Sequence, residues 1–230
     1  MPPCDCFVAT LSTNPSRSAQ RQFLLIKRST TQINSNNLKM TQDSRLKTPD
    51  LTRCTWPGKD ELYIKYHDEE WGKEIHDDKK LFEFLVLESA QAGLSWITIL
   101  RRREGYRKAY ADFDVHKVSA FTEDDVERLM QDSGIIRNRA KIVSSISNAQ
   151  KFIEVQKEFG SFDQYLYSFM PDGKPIVNYP HQPIVSTPIS DAISKDMKKR
   201  GFKFFGTTIC YAHMQATGMV NDHLPECSFK

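Results

Sequence analysis

VERLMQDSGIIRNRAKIVSSISNA, residues 126–149, reads as two helices joined by a short turn. Thr122-Glu-Asp-Asp125, just upstream, has the form of a capping box that starts the first helix. Ser133 and Gly134 make the turn, and Gly134 is expected to end that helix. Ile135 and Ile136 follow, and a second helix is expected over 137–154, opening with Arg137, Arg139 and Lys141. Backbone N–H groups at such a turn and at a helix N-terminus suit a phosphate, and three nearby cations reinforce them. The pattern looks like a helix-hairpin-helix. An ordinary helical connection with a solvated basic face fits the same residues, so the segment alone leaves both readings open.

Working outward, the chain stays helical. Residues 61–70 contain no breaker, 78–91 carry a dense apolar stripe behind Asp78 as a possible cap, and 95–110 run on from Ser95. Residues 160–190 are rich in proline and poor in periodicity, which predicts mostly loop. Ser190 is expected to cap a helix ending at Gly201, and Thr207 to Gly218 forms another. Alternating β-branched strands are missing, so the expected fold is all-α with about seven or eight helices. A second basic stretch, KKRGFKF at 198–204, offers another phosphate contact.

The chain has 230 residues, which suits one domain plus a tail. No apolar run approaches the ~18 residues of a membrane-spanning helix. The five cysteines are too few and too scattered for a disulfide scaffold and fit a reducing compartment. Net charge is +3, but residues 1–50 hold seven Lys/Arg and three Asp, or +4, leaving −1 for the remainder. Nucleic acid would therefore have to meet a local patch rather than a globally basic body. Residues 1–52 lack Trp, Tyr, Glu and Gly. They read as a disordered extension, with Met40 as an alternative start, or as a targeting peptide carried by SRSAQRQFLLIKRS at 16–29. The body is expected over 53–230. A cytoplasmic location is expected, nucleoid-associated in a bacterium, with organelle or nucleus as the alternative if the extension is a targeting signal.

Cys54 and His67 lie near the start of the body, His223 and Cys227 at its end. Together they have the composition of a closed structural zinc site, which would staple the two ends and contribute directly to folding. Spacing alone does not separate this from four unrelated residues. All three tryptophans fall between 56 and 96. Tyr63, Tyr66 and His67 share one face of a helix, so a metal on His67 would pin the helix that presents the tyrosines. Glu88 interrupts the apolar run LFEFLVLESAQAGLSW, and Trp96 lies eight residues on. A carboxylate among aromatic faces suits a flat cationic ring; a core helix with one peripheral Glu is the plainer reading.

Taken together, RCTW (53–56), LYIKYHDEEWG (62–72), LESAQAGLSWITIL (87–100), GIIRNRAKI (134–142), KKRGFKFFGTTICYAHMQATG (198–218) and VNDH (220–223) closely resemble the Tag family of 3-methyladenine DNA glycosylases. The resemblance covers Arg53 to Cys227. It implies a helix-hairpin-helix glycosylase fold with a DNA cleft, and one structural zinc on Cys54, His67, His223 and Cys227. It implies a base pocket with Glu88, Tyr66 and Trp96 as the residues that hold and process the base, and Trp56, Tyr63 and Trp71 as its walls. Gln91, Gly93 and Leu94 would sit at the gap left by a flipped base, with Leu94 as an apolar wedge. Gly134, Arg137, Arg139 and Lys141 would meet the DNA backbone.

The implied activity is excision of 3-methyladenine from double-stranded DNA, the first step of base excision repair, by a monomer with no membrane attachment. The reaction is expected to be monofunctional. Asn138 stands where some helix-hairpin-helix glycosylases carry a Schiff-base lysine, and an amide cannot play that part. Lys141 is expected to face a phosphate. The extension lies outside the family pattern, and with three residues after Cys227 the metal site is expected to have little C-terminal support. A silent DNA-binding module and an enzyme of free nucleobases are the competing classes.

Overall fold

The protein is seen in a computed structural model that describes residues 51–230; expectations for residues 1–50 lie outside it. Helix α1 (Glu61–Glu69) starts where the Asp60 carboxylate accepts the Tyr63 amide. Helix α2 (Asp78–Gln91) starts in the same way, with Asp77 accepting the Lys80 amide. Every residue of α2 from Leu81 to Ala90 is buried, including Glu83 and Glu88. This helix is therefore the axis of the body, wrapped on all sides, which explains why its sequence lacks a clean polar face. Asp78, expected as its cap, caps another helix: its carboxylate accepts the amides of Phe162 and Asp163 at 2.9 and 3.0 Å.

The continuous helix expected over 95–110 is two, α3 (Trp96–Leu100) and α4 (Arg103–Ala109). The break falls at Arg102, whose φ of −103° and ψ of 1° leave the helical region. It lets Trp96 and Tyr106 pack into different parts of the core, where both are buried. The short helix α5 (Val115–Ser119) is capped by Asp114 and precedes α6 (Glu123–Gln131). At the start of α6 the Asp125 carboxylate accepts the Thr122 amide at 3.0 Å, the capping contact read from the sequence.

Helix α7 (Arg139–Phe159) begins two residues later than expected and runs further. Its cap is Asn138, whose side-chain oxygen accepts the Lys141 amide at 3.1 Å. Residues 160–190 are less irregular than their prolines suggest: α8 (Phe162–Tyr167) forms there, its N-terminus satisfied by Ser161 and Asp78. Helix α9 (Pro188–Arg200) is capped by Thr187 rather than Ser190, with proline in its first turn, and stops at Gly201 in the left-handed region. Helix α10 (Thr207–Ala216) completes the set of ten α-helices among the described residues. One pair of two-residue parallel strands, β1 (Ile176–Val177) and β2 (Val220–Asn221), qualifies the all-α expectation; Ile176 lies opposite Val220. No described helix is long and apolar enough to cross a membrane.

The α6–α7 connection depends on a close approach that the sequence did not advertise. The Asp132 carboxylate accepts the Gly134 amide at 2.7 Å, and the Tyr106 hydroxyl accepts the Ile136 amide at 3.2 Å. Gly134 lies within the turn, while α6 already ends at Gln131. Gly105 of α4 lies against it so tightly that a Cβ on Gly105 would sit 2.2 Å from the Gly134 carbonyl oxygen. Backbone cannot yield to that contact without moving the turn. Gly105→Ala is therefore expected to lower stability by about 1–3 kcal/mol, the usual range for overpacking. Gly206→Ala, where an added Cβ meets nothing within 4 Å, serves as the control in the same thermal unfolding series.

Candidate functional site

The two ends of the body meet. The Thr52 carbonyl accepts the Ser228 amide at 2.9 Å, and the Ser228 hydroxyl accepts the Thr52 amide at 3.1 Å. Beside this pair, Cys54, His67, His223 and Cys227 are all buried, and their donor atoms lie within 4.8 Å of one another. Cys227 Sγ is 3.6 Å from His67 Nε2 and 3.3 Å from His223 Nδ1, and Cys54 Sγ is 3.6 Å from His223 Nδ1. Both rings are held from behind. His67 Nδ1 is 2.7 Å from Asp68 Oδ1, which Arg53 also engages, and His223 Nε2 is 3.2 Å from the Trp71 carbonyl. Each imidazole thus has an outer partner for one nitrogen and turns the other toward the sulfurs, as metal-ligating histidines do. This cluster could hold a metal ion. Support from the last residues exceeds expectation: Phe229 packs edge-on to His67, and the Arg53 guanidinium lies 5.0 Å from the Phe229 ring centroid.

One helical turn from His67, a cavity of about 270 Å³ opens among aromatic rings. Trp56, Tyr63, Tyr66, Trp71, Glu88 and Trp96 all line it, together with Gln91. Trp56 packs edge-on to Tyr63 and Trp71 at 4.8 and 5.0 Å, and Tyr66 lies 5.5 Å from Trp96. Gln91, expected at the gap left by a flipped base, belongs to the pocket wall. Four lining residues carried no sequence signal: Pro183 and Ile184 from the loop before α9, and Ala212 and Gln215 from α10. They join the wall only through packing. Gln215 is fixed by a 2.8 Å bond from its Nε2 to the buried Asp222 carboxylate.

Three polar atoms of this wall are buried without a hydrogen-bond partner in the protein: Glu88 Oε2, Gln91 Oε1 and Trp96 Nε1. Buried polar atoms are ordinarily satisfied, so three orphans around one cavity mark a place where a ligand supplies the partners. Glu88 and Glu83 make the point by contrast. Both are 2% exposed on α2. Burial acts to raise the pKa of Glu83, but Arg103 and Lys80 outweigh it and hold that carboxyl below its ordinary range. Arg103 also grips Glu70 through two 2.8 Å bonds, so this ion cluster ties α1, α2 and α4 together behind the pocket. Glu88 has no such cation, and burial pushes its pKa up to about 8.

The hairpin residues fall out differently from one another. Arg137 is exposed in the connection. Arg139 is exposed at the start of α7, where it pairs with Glu127 and Glu123 of α6. Lys141, expected to face a phosphate, donates from its ammonium to the carbonyls of Ala90 and Ala92 at 2.7 and 2.6 Å. Those carbonyls belong to the end of α2, and the unfilled acceptors there draw the cation inward. Gly93, at φ +79°, forms the turn that follows, and Leu94 remains 40% exposed beyond it.

The Glu88 environment has a pH consequence. Its folded-state pKa lies above the 4.5 of an ordinary glutamate, so the folded chain retains a proton that the unfolded chain has lost. Stability falls as pH rises between those values, and the loss levels off above about 8. The stability of Glu88→Gln relative to the unaltered chain is expected to climb over the same window in ligand-free thermal melts. A gap that stays flat would mean that Glu88 ionises freely.

The family model for methyladenine glycosylase matches residues 56–230. A protein named DNA-3-methyladenine glycosylase 1 from Escherichia coli K12 is 50% identical over 188 residues, covering 77% of this chain and 96% of the relative. DNA-3-methyladenine glycosylase from Haemophilus influenzae is 48% identical, covering 78% and 98%. A solved structure of 3-methyladenine DNA glycosylase I from Staphylococcus aureus, described as the structural basis of 3-methyladenine recognition, superposes with a TM-score of 0.75 at 37% identity, covering 78% of this chain and 97% of that one. The motifs and the fold agree with these likenesses, and the chain belongs to the methyladenine glycosylase family.

Proposed function

We propose that this protein is a monofunctional DNA glycosylase that removes 3-methyladenine from alkylated double-stranded DNA by hydrolysing the N-glycosidic bond. The observation that carries the reading is the uncompensated Glu88 carboxyl in an aromatic cavity, with orphaned polar atoms beside it. A 3-methylated adenine in DNA carries positive charge, whereas adenine does not. The cationic ring supplies the counter-charge that Glu88 lacks and favours its ionised form. Neutral adenine offers no such gain, so the pocket discriminates by charge as well as shape. Trp96 and its aromatic neighbours present faces to the cation, and Tyr66, whose pKa burial raises well above that of an ordinary phenol, keeps its proton to donate.

The pocket cannot reach a base inside the duplex, so the nucleotide is extruded first. Leu94, exposed beyond the Gly93 turn, is suited to the space left in the stack. The base is already a good leaving group because it departs neutral, and water adds at the sugar carbon while its proton goes to solvent. An intact abasic site remains. The α6–α7 pair serves as a helix-hairpin-helix whose turn amides and Arg137 face the phosphates. Asn138 caps α7 and offers no amine for a Schiff base.

Zinc suits the four donors. A tetrahedral zinc with ordinary Zn–S and Zn–N bonds separates sulfur from nitrogen by about 3.5 Å; three of the four sulfur–nitrogen pairs lie 3.3 to 3.6 Å apart, and all four donors fall within 4.8 Å. Bound there, the ion is structural: four protein ligands leave no position for a reacting water. It would join Cys54 and α1 to the last turn of the chain.

Incubation with methylated DNA is expected to release 3-methyladenine, identified by chromatography. Glu88→Ala and Trp96→Ala should lower that release by about a hundredfold or more, the order seen on removing a key stabilising group, while nonspecific duplex binding changes little. Borohydride should trap no protein–DNA adduct, and strand breaks should require alkali; a trapped adduct would overturn the monofunctional reading. Elemental analysis is expected to find one zinc per chain. Cys227→Ala should lower the melting temperature before it alters chemistry, and zinc-free protein with full stability in chelator would remove the metal from the account.

A further inference from the structure

Lys141 sits in the hairpin by sequence but by contact holds the end of α2, on either side of the pocket residue Gln91. Helix α2 ends at Gln91 with no basic residue in its last turn, and Ala92 leaves the helix at φ −40° and ψ 114°. Carbonyls at a helix C-terminus have no partner within the helix and carry the negative end of its dipole. The Lys141 ammonium supplies both the hydrogen bonds and the charge, reaching Ala90 O at 2.7 Å and Ala92 O at 2.6 Å from α7. Desolvation there lowers its pKa, in keeping with a side chain drawn out of water.

The Ala90 carbonyl immediately precedes the turn at 91–94, and the Ala92 carbonyl lies within it. That turn is closed by the Leu94 amide on the Gln91 carbonyl at 2.6 Å and depends on Gly93 at φ +79°. The turn carries Gln91 into the pocket wall at one end and Leu94 outward at the other. Two of the ammonium's three N–H donors are spent on these carbonyls, so its position is set by the end of α2. We infer that Lys141 is a positioning residue. It fixes the 91–94 turn from the hairpin side, so that seating the hairpin on the backbone and holding Leu94 in the emptied stack are one mechanical event.

This inference rests on the proposed role of Leu94 as a wedge, and the test separates the two. Full-length Lys141→Met, Lys141→Gln and Leu94→Ala are compared in single-turnover excision of 3-methyladenine from two substrates. One has the lesion in a paired duplex, and the other has it in an unpaired bubble that needs little extrusion. Lys141→Met is expected to slow the duplex reaction about tenfold and the bubble reaction much less, as Leu94→Ala does, and the double variant should be no worse than the slower single one. The salt dependence of duplex affinity should be unchanged. Exchange of the Leu94 amide, followed by NMR, should quicken in Lys141→Met.

A salt slope reduced by about one, with an unchanged duplex-to-bubble ratio, would make Lys141 a phosphate contact and overturn the inference. A Leu94 amide as protected as in the unaltered chain would overturn it as well. If Leu94→Ala leaves the ratio untouched, the wedge reading fails by itself, and amide exchange alone decides the positioning role. Should Lys141→Met not fold, Lys141→Gln, which keeps an uncharged amide donor on a shorter stem, carries the same readouts.

Discussion

Four donor atoms from opposite ends of the body converge within 4.8 Å, and the pocket is built outward from that junction. His67 belongs both to the cluster and to α1, the helix whose preceding turn presents Tyr63 and Tyr66 to the cavity. Trp71, which lines the cavity, also accepts from His223 through its carbonyl. Loosening the junction would therefore loosen two walls together. Gly72 shows how little slack exists: a Cβ there would lie 3.2 Å from the His223 ring. The arrangement resembles an enzyme that stiffens its recognition surface by tying remote chain segments behind it, so that aromatic faces are in place before a ligand arrives.

Two glutamates on one helix divide the labour of charge. Glu83 is surrounded by Arg103, Arg107 and Lys80 and ties α2 to α4, while Arg103 also holds Glu70 at the end of α1. Glu88, five residues on, has burial without compensation. A frame wants its ions satisfied at all times; a recognition site for a cation wants its acceptor unsatisfied until the cation comes. The Arg103 guanidinium also lies 5.3 Å from the centroid of Phe84, which stacks behind Trp96. The frame and the recognition wall therefore touch without sharing a hydrogen bond.

The hairpin adjoins the pocket through backbone as much as through side chains. Gly105 and Gly134 bring α4 against the α6–α7 turn at a distance no Cβ allows. Lys141 ties the following helix to the end of α2. Contacts thus run from the α6–α7 turn to the Gly93 turn, the path along which the proposed link between backbone engagement and base extrusion would act.

Much of this was legible from residues alone. The helix boundaries of α1 and α2, the Thr122–Asp125 capping contact and the Gly201 stop follow from local chemistry, because caps and breakers act within a few residues. The pocket aromatics and the four metal-type donors were also nameable, since their types are rare enough for their pattern to carry meaning. Only the tertiary structure decided where orphaned groups find partners. Asp78 turned its carboxylate to the start of α8, Lys141 turned from solvent to two carbonyls, and Gln215 and Ile184 closed the cavity. Each depends on which atoms meet across tens or hundreds of residues. A buried polar group is satisfied by whatever the fold brings within about 3 Å, and that distance is a property of packing, not of neighbouring letters.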